Sequence, residues 1–229
     1  ADCWSDATLR GEEAKHLVQV LRIKAGETVT VFDGHGRRAT ARVINCQRDH
    51  VLLEIGEAET PEPPKPHITL ALAIPKGKNM DLIVQKAVEL GVARIQPLIT
   101  RHTIVQPGEG KADKWRRTAL EACKQCGQDT LPEIAEARPF DRWLADPQPA
   151  HLKLIASLAA GARPLRETLS AHPDVGACTL LIGPEGDFSA EETHAALATG
   201  FLPISLGRIV LRVETAAFYA LSALRYAYS

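Results

Sequence analysis

The strongest motif in the sequence is Leu181-Ile182-Gly183-Pro184-Glu185-Gly186-Asp187-Phe188-Ser189-Ala190-Glu191-Glu192. It runs from an apolar strand through a glycine and proline loop into a helix. Ser189 and Glu192 form an S-x-x-E pattern, which predicts a capping box at the start of that helix. Gly183 and Gly186 let the backbone approach a ligand closely, and Pro184 stiffens the loop. These residues fit a ligand-binding loop and a simple tight turn equally well.

Strands and helices alternate on both sides of this stretch. Helical spacing of Met80, Ile83, Val84, Ala87 and Val88 predicts a helix that ends at Gly91. The alternation predicts an α/β domain with a parallel sheet covered on both faces, whose ligands bind at the carboxyl ends of the strands. We expect strands over residues 67–74, 94–99, 151–156, 178–182 and 202–206, and further helices over 111–127, 189–199 and 214–228.

The N-terminal part has a different rhythm. A short helix over 12–23 and three strands over 28–33, 39–45 and 51–55 predict a small antiparallel barrel. The G-x-G-x-x-A pattern at Gly34–Ala39 precedes a strand, not the helix of a dinucleotide-binding fold, so a hairpin turn explains it better. Residues 57–66 contain four prolines and read as an extended linker. We therefore place the domain boundary at 62/63, giving domains 1–62 and 63–229.

Composition excludes several classes of protein. The chain has 229 residues, of which 45% are hydrophobic and 24% charged, which is typical of a globular protein. No apolar run reaches the roughly 18 residues of a membrane span, and the first residues lack a signal-peptide pattern. We therefore expect a cytoplasmic protein without membrane association.

The net charge of −1 is an average over unequal segments. Residues 15–48 carry a balance of +5, residues 63–118 a balance of +6 and residues 119–229 a balance of −4. Such asymmetry is expected if the front half binds a polyanion, although an uneven solvated surface would produce it too.

Cysteine usage does not indicate a metal site. Cys123 and Cys126 form a C-x-x-C without a second pair or a histidine at ligand spacing, whereas structural zinc needs four ligands. We expect both to be small packing residues on one face of a helix, in a reducing compartment.

A second loop, Ser205-Leu206-Gly207-Arg208, also follows a short strand. Arg212 and Glu214 then flank the start of the last helix, which Thr215 could cap. Taken alone, Arg212 and Glu214 fit a surface ion pair better than a catalytic role. Cations also follow two other strands, and they suit phosphate groups as well as they suit a solvated surface.

The order and spacing of several motifs resemble RsmE-type methyltransferases of the SPOUT superfamily, which modify N3 of a uridine in the 16S RNA of the small ribosomal subunit. The resemblance covers nearly the whole chain. It rests on His16–Arg22 with Phe32-Asp33-Gly34, Lys76-Gly77, Gln85–Val92, Pro97-Leu98, Trp115, Glu121–Cys126, Leu131–Ile134, Leu181–Gly186, Leu206-Gly207 and Leu211–Ala216.

The resemblance implies an α/β SPOUT domain with a parallel sheet and a C-terminal trefoil knot, preceded by an N-terminal PUA-like β-barrel that binds RNA. It implies a homodimer and S-adenosylmethionine as methyl donor, with no metal. The residues implied to bind this donor are Ile182, Gly183, Pro184, Glu185, Gly186, Leu206, Gly207, Leu211 and Arg212.

The remaining roles follow from the implied reaction. Arg212 is the candidate for stabilising the anion that develops on the uridine ring, and Glu214 the candidate for orientation or proton acceptance. The expected partner is 16S ribosomal RNA or the small subunit. The candidate RNA contacts are Lys15, Arg22, Arg37, Arg38, Lys76, Lys78, Lys86 and Arg101.

Three positions depart from the family pattern. Asp187 stands where a second glycine is usual, Ile209 where an arginine is frequent, and Gln128 where an arginine is usual. Two alternatives therefore stay open. One is a related SPOUT enzyme that acts on another RNA nucleoside, and the other is an RNA-binding assembly factor with an inactive methyltransferase fold.

Overall fold

The computed structural model describes residues 7–77, 79–104, 108, 110–147, 149–159 and 161–229. Lys78, one of the candidate RNA contacts, lies outside these ranges. The chain divides into two compact units, a small one that extends to Pro63 and a large one that begins at Pro64. The small unit also includes Asp129–Leu131, which the sequence interpretation placed in the second domain. There the amide of Leu131 donates a hydrogen bond to the carbonyl oxygen of Gly34 over 2.9 Å.

The small unit is built on an antiparallel sheet in the order β1-β4-β3-β2. Its elements are β1 (Thr8–Arg10), α1 (Gly11–Lys15), a π-helical segment (His16–Val20), β2 (Thr28–Phe32), β3 (Arg38–Cys46) and β4 (His50–Ile55). Among the described residues β1 and β2 remain edges, so hydrogen bonds do not close the sheet into the expected barrel. The three-residue β1 was not predicted, and it pairs only with β4.

Alternate residues of the two longest strands form the core of this unit, as the two-residue period of a strand requires. Ala41, Val43, Val51 and Leu53 pack with Ala14 of α1. The predicted hairpin turn between β2 and β3 is confirmed, because Gly34 and Gly36 have positive φ angles of 79° and 92°. A carboxylate oxygen of Asp33 accepts from the amide of His35 over 2.7 Å and tightens the turn.

The large unit is an α/β domain whose strand pairs are all parallel in the described residues. Its elements are β5 (His67–Ala73), α2 (Asn79–Glu89), β6 (Arg94–Ile99), α3 (Lys111–Cys126), β7 (Glu133–Ile134), β8 (Arg138–Pro139), α4 (Phe140–Ala145), β9 (Leu152–Ala156), β10 (Arg163–Pro164), α5 (Leu165–Ser170), β11 (Ala177–Ile182), α6 (Ala190–Ala198), β12 (Leu202–Ser205) and α7 (Val213–Tyr228). The parallel sheet is thus confirmed, whereas the short elements β7, β8, β10, α4 and α5 were not predicted.

Both faces of this sheet are covered. The order β10-β12-β9-β11-β5-β6-β7 places β5 and β11 at the centre, where consecutive positions such as Leu180 and Leu181 are both fully buried. On one face Phe140, Trp143, Phe188 and Phe201 pack against inward-facing strand residues. On the other, α7 packs against α2, α5 and β11. No helix in the described ranges has the length and apolar composition that crossing a membrane requires.

Candidate active site

The loops that follow three neighbouring strands surround one cavity. Strand β9 lies between β11 and β12, so their carboxyl ends meet at one edge of the sheet. The cavity there has a volume of about 430 Å³, within the range usual for small-molecule sites. Its lining is mostly small or aliphatic, with charged side chains at Glu185, Asp187 and Arg208. This is the edge at which open parallel sheets bind their ligands.

The loop after β11 is held by a capping box. The hydroxyl of Ser189 accepts from the amide of Glu192 over 3.2 Å, and the Glu192 carboxylate accepts from the amide of Ser189 over 2.9 Å. The predicted capping box is confirmed. Gly183 lies in a tightly packed position, because a Cβ there would lie 3.1 Å from both Asp187 Oδ1 and the Phe188 ring.

The loops after β5 and β6 form hydrogen bonds with this loop and with the first turn of α6. The Glu185 carboxylate accepts from the amide of Lys76, after β5, over 3.2 Å. The second carboxylate oxygen of Glu192 accepts from the amide of Arg101, after β6, over 2.9 Å. The loop after β11 and the first turn of α6 are therefore connected to the loops after β5 and β6, which helps to keep the cavity wall in place.

Seven of the nine predicted donor-binding residues line this cavity, namely Ile182, Gly183, Pro184, Glu185, Leu206, Gly207 and Leu211. Gly186 and Arg212 do not line it. Gly186 is exposed, and a Cβ on it would face the His102 ring at 3.6 Å. Arg212 is the exposed residue that precedes α7.

Sequence reasoning missed the loop after β9. Ser157, Leu158, Ala159 and Ala162 form one wall of the cavity, and Arg208, Val210, Val213 and Ala216 extend it on the opposite side. A signal for the first group was available, since a run of small residues directly follows a predicted strand. Its proximity to the Gly183 loop depends on the order of strands in the sheet, which the sequence pattern does not reveal.

The start of the last helix differs from the expectation. Helix α7 begins at Val213, so Thr215 lies within its first turn and does not cap it. Glu214 also lies in the first turn, where a carboxylate is favoured by the helix dipole. Among the described residues, Arg212 and Glu214 do not form an ion pair. The interpretation of these two residues as a surface ion pair is therefore wrong.

The candidate RNA contacts in the described residues differ in their electrostatic partners. Arg38 binds Glu59 over 2.7 Å, Lys15 binds Glu12 over 2.9 Å, Lys86 binds Glu89 over 2.8 Å and Arg101 lies 3.7 Å from Glu191. Arg22 and Lys76 are exposed and have no acidic side-chain partner among the described residues. Arg37 is also exposed, and its non-covalent interaction with the rest of the chain sets it apart from Arg22 and Lys76.

The departures from the family pattern have local explanations in two cases. Asp187 has a φ of +61°, a conformation that suits glycine, asparagine and aspartate. The side-chain amide of Gln128 donates to the Val88 carbonyl oxygen of α2 over 2.6 Å. Ile209 is 78% exposed at the rim of the cavity, and nothing in the structure explains why it replaces an arginine.

The cysteines do not share one environment. Cys123 is buried in α3 as expected, but Cys126, the last residue of that helix, is exposed. Burial raises the pKa of the Cys178 thiol to about 12. Among the described residues, no group of three or more His, Cys, Asp or Glu side chains is arranged to hold a metal ion.

Comparison with known proteins gives a consistent result. A family described as an RNA methyltransferase domain matches residues 61–225, and one described as an RNA methyltransferase PUA domain matches residues 9–56. The ribosomal RNA small subunit methyltransferase E of Synechocystis sp. is 33% identical over 221 residues, which are 94% of this chain and 71% of that protein. The protein of the same name from Bacillus subtilis is 26% identical over 96% of this chain and 89% of its own length.

Solved structures agree in fold. Ribosomal RNA small subunit methyltransferase E from Neisseria gonorrhoeae, bound to S-adenosyl methionine, has a TM-score of 0.88 and 33% identity, covering 96% of this chain and 91% of its own. A structure from Legionella pneumophila, described as a methyltransferase with the bound cofactor SAM, has a TM-score of 0.86 and 37% identity, with the same coverage.

Proposed function

This chain belongs to the RNA methyltransferase family, and from that premise we propose that it methylates N3 of a uridine in 16S ribosomal RNA with S-adenosylmethionine as donor. The observation that carries the proposal is the cavity at the ends of β9, β11 and β12, in a fold similar to two structures that hold this donor. We place the reaction in the cytoplasm, where the small ribosomal subunit is assembled.

The cavity residues fit the donor chemically. Ile182, Leu206, Leu211 and Val213 offer apolar contacts for an adenine ring, and the loop backbones offer hydrogen-bonding groups. The carboxylate of Glu185 offers negative charge to a cationic ligand. When bound, S-adenosylmethionine supplies an electrophilic methyl group on a positively charged sulfur. We propose that the nine predicted residues hold it, Gly186 and Arg212 from the rim.

N3 of uridine carries a proton and becomes a good nucleophile only when that proton is lost. A site for this reaction therefore needs an acceptor for the proton and a cation that stabilises charge on the ring. We assign stabilisation to Arg212, which follows the cavity-lining Leu211, and proton acceptance or orientation to Glu214, which follows Val213. Positioning of the base in line with the methyl group supplies much of the remaining acceleration.

The RNA is proposed to contact the predicted cations of each unit. Arg22 and Lys76 are the strongest candidates, because an exposed cation without an acidic partner gains most from a phosphate. The reactive uridine must leave its stack to reach a cavity of this size, so we expect a flipped or looped base.

Two further features of the family are proposed for this chain. For the trefoil knot the support is the match of residues 61–225 to the RNA methyltransferase domain family. A homodimer is supported by an exposed stripe on α7 formed by Thr215, Tyr219, Ser222 and Tyr226. Tyr226 is 87% exposed and Tyr219 53%, and aromatic side chains so exposed are typical of an interface.

The reaction is tested by mapping methylated nucleosides in ribosomal RNA from cells that lack the protein, before and after reintroduction of the wild type. We expect one N3-methyluridine in 16S RNA to disappear and return. Loss of a mark on transfer RNA or on another nucleoside would favour a related enzyme, and no change in any mark would favour an inactive assembly factor.

Purified variants test the residue roles. We expect Arg212→Ala and Glu214→Gln to lower the methylation rate at least about 100-fold, the usual contribution of a group that acts on a proton or a developing charge. Calorimetry with S-adenosylmethionine serves as the control for Glu214→Gln, which should bind normally. Wild-type turnover in both variants would remove the assignment.

A further inference from the structure

Asp187 lies where three loops of the large unit meet. Its carbonyl oxygen accepts a hydrogen bond from Nδ1 of His102, in the loop after β6, over 2.9 Å. Its own amide donates to the Pro184 carbonyl oxygen over 2.9 Å, which closes the turn after β11. The side chain lines the cavity together with residues of the loop after β9.

The carboxylate of Asp187 accepts two amide hydrogen bonds, one with each oxygen. Oδ1 accepts from the amide of Phe188 over 2.8 Å, within the same loop. Oδ2 accepts from the amide of Leu158 over 3.3 Å, in the loop after β9. The second bond joins two separate walls of the cavity, because Ser157, Leu158 and Ala159 line it from the β9 side.

Other contacts of Asp187 and Leu158 do not replace the hydrogen bond between them. The Leu158 side chain is 64% exposed, so its packing does little to hold the loop. No cationic side chain pairs with Asp187 among the described residues, which leaves the two amides as the partners of its carboxylate. Only a carboxylate presents two acceptor oxygens in this arrangement, since an asparagine would turn an NH₂ group toward one amide.

We propose that Asp187 is a positioning residue of the donor site, which holds the β9 loop against the β11 loop in the geometry that binds S-adenosylmethionine. The proposal rests on the proposed function in that the cavity holds this donor. A direct attraction between the carboxylate and the sulfonium charge is the competing explanation, and the two differ in how they treat a neutral ligand.

Binding of S-adenosylmethionine and of its neutral-sulfur product, S-adenosylhomocysteine, to the full chain distinguishes them. Isothermal calorimetry is carried out on the wild type, Asp187→Asn and Asp187→Gly. Both variants tolerate the positive φ, so both retain the turn. As a matched control, Asp174→Asn removes an exposed aspartate outside the cavity.

Positioning predicts graded losses that are equal for the two ligands. We expect affinity to fall about 10-fold in Asp187→Asn and about 100-fold in Asp187→Gly, as expected for loss of one and of two hydrogen bonds to a charged acceptor. Asp174→Asn should bind like the wild type. In ligand-free protein the amide of Leu158 should exchange its hydrogen faster in Asp187→Gly, and that of Glu192 should not change.

Three results would overturn this role. They are wild-type affinity in Asp187→Gly, a loss confined to the sulfonium ligand, and unchanged exchange of the Leu158 amide in Asp187→Gly. Failure of the wild type to bind either compound would instead overturn the proposed function and this role with it.

Discussion

Arg225 in α7 donates a hydrogen bond from Nε to the carbonyl oxygen of Leu90, just past the end of α2, over 2.9 Å. Its Nη1 donates to the carbonyl oxygen of Pro66 over 3.1 Å, and its Nη2 donates to that of Gly91. One guanidinium therefore satisfies three carbonyl groups and places a positive charge at a helix C-terminus, where the dipole favours it. Burial lowers the pKa of Arg225, but an arginine keeps its charge at any physiological pH.

Replacement of this guanidinium should destabilise the large unit. We expect Arg225→Met to lower the free energy of unfolding by about 2 kcal/mol, because three carbonyl groups lose a charged donor while the aliphatic packing remains. Urea unfolding followed by circular dichroism measures the change. Arg166→Met, on the exposed side of α5, should have an effect below about 0.5 kcal/mol, and equal effects of the two substitutions would contradict the bridging role.

The capping box at α6 should be worth more through Glu192 than through Ser189. Ser189→Ala removes one cap and should cost about 1 kcal/mol. Glu192→Ala removes the reciprocal bond and also the acceptor for the Arg101 amide, so we expect about 2 kcal/mol. Thermal unfolding of both variants checks the ranking, with His194→Ala, at an exposed position of the same helix, as the control.

Binding of RNA should weaken steeply with salt, and the exposed cations should not contribute equally. Arg22→Ala should reduce the slope of log affinity against log salt by about 1, as expected when one phosphate contact is lost. Arg38→Ala should reduce it less, because Arg38 is already paired with Glu59 over 2.7 Å. Fluorescence anisotropy with a 16S fragment between about 50 and 300 mM salt measures both slopes. An affinity that is independent of salt would rule out phosphate recognition by these residues.

Stability should fall in alkaline solution. Burial raises the pKa of Cys178 and of Tyr228 to about 12, from ordinary values of 9.0 and 10.0. Because the folded-state pKa lies above the unfolded one, the unfolded chain loses these protons first, and stability present below pH 9 is lost as pH rises toward 12. For the buried Cys178 the slope should approach about 1.4 kcal/mol per pH unit, whereas solvent screening makes the contribution of the more exposed Tyr228 smaller.

The Cys178 part of this slope can be isolated. Cys178→Ala should flatten the fall in unfolding free energy between about pH 9 and 10.5, whereas Cys126→Ala, at an exposed cysteine, should not. Chemical denaturation at a series of pH values gives both curves. Identical slopes for wild type and Cys178→Ala would show that the buried thiol does not control alkaline stability.

The stripe on α7 should be the dimer contact. Tyr226→Glu places a charge on its most exposed aromatic position and should shift sedimentation from dimer to monomer. Leu197→Glu, at an exposed apolar residue of α6, should leave the dimer intact. A wild type that sediments as a monomer at micromolar concentration would contradict the homodimer.

Much of the fold could be read from local patterns. Apolar periodicity indicated β5, β6, β9, β11 and β12 and the long helices, because buried strands and amphipathic helices carry their signal in consecutive residues. The two-residue strands and the six-residue helices α4 and α5 carry too few residues for such a signal. The three residues Asp129–Leu131 join the small unit through backbone bonds to the Gly34 turn, and a bond of this kind has no sequence signature.

The candidate site could be predicted in part for the same reason. The glycines, the proline and the Ser189 cap predict the loop Gly183–Asp187, and all of these signals are local. The wall from Ser157 to Ala159 does not, since it becomes part of the cavity only because β9 lies between β11 and β12. Asp187 departs from the family motif, and only the tertiary structure shows its positive φ and its bond to Leu158, on which the proposed positioning role rests.

The longer helices and strands, the hairpin turn and the loop that starts α6 follow from the sequence alone, because each of these depends on residues within a few positions of one another. Only the tertiary structure decided which distant groups meet, as Asp187 meets Leu158 across 29 positions and Arg225 meets Leu90 across 135. The physical reason is that such contacts follow from strand order and helix packing, which bury the same apolar residues in many arrangements, while a single arrangement brings these polar partners within hydrogen-bonding distance.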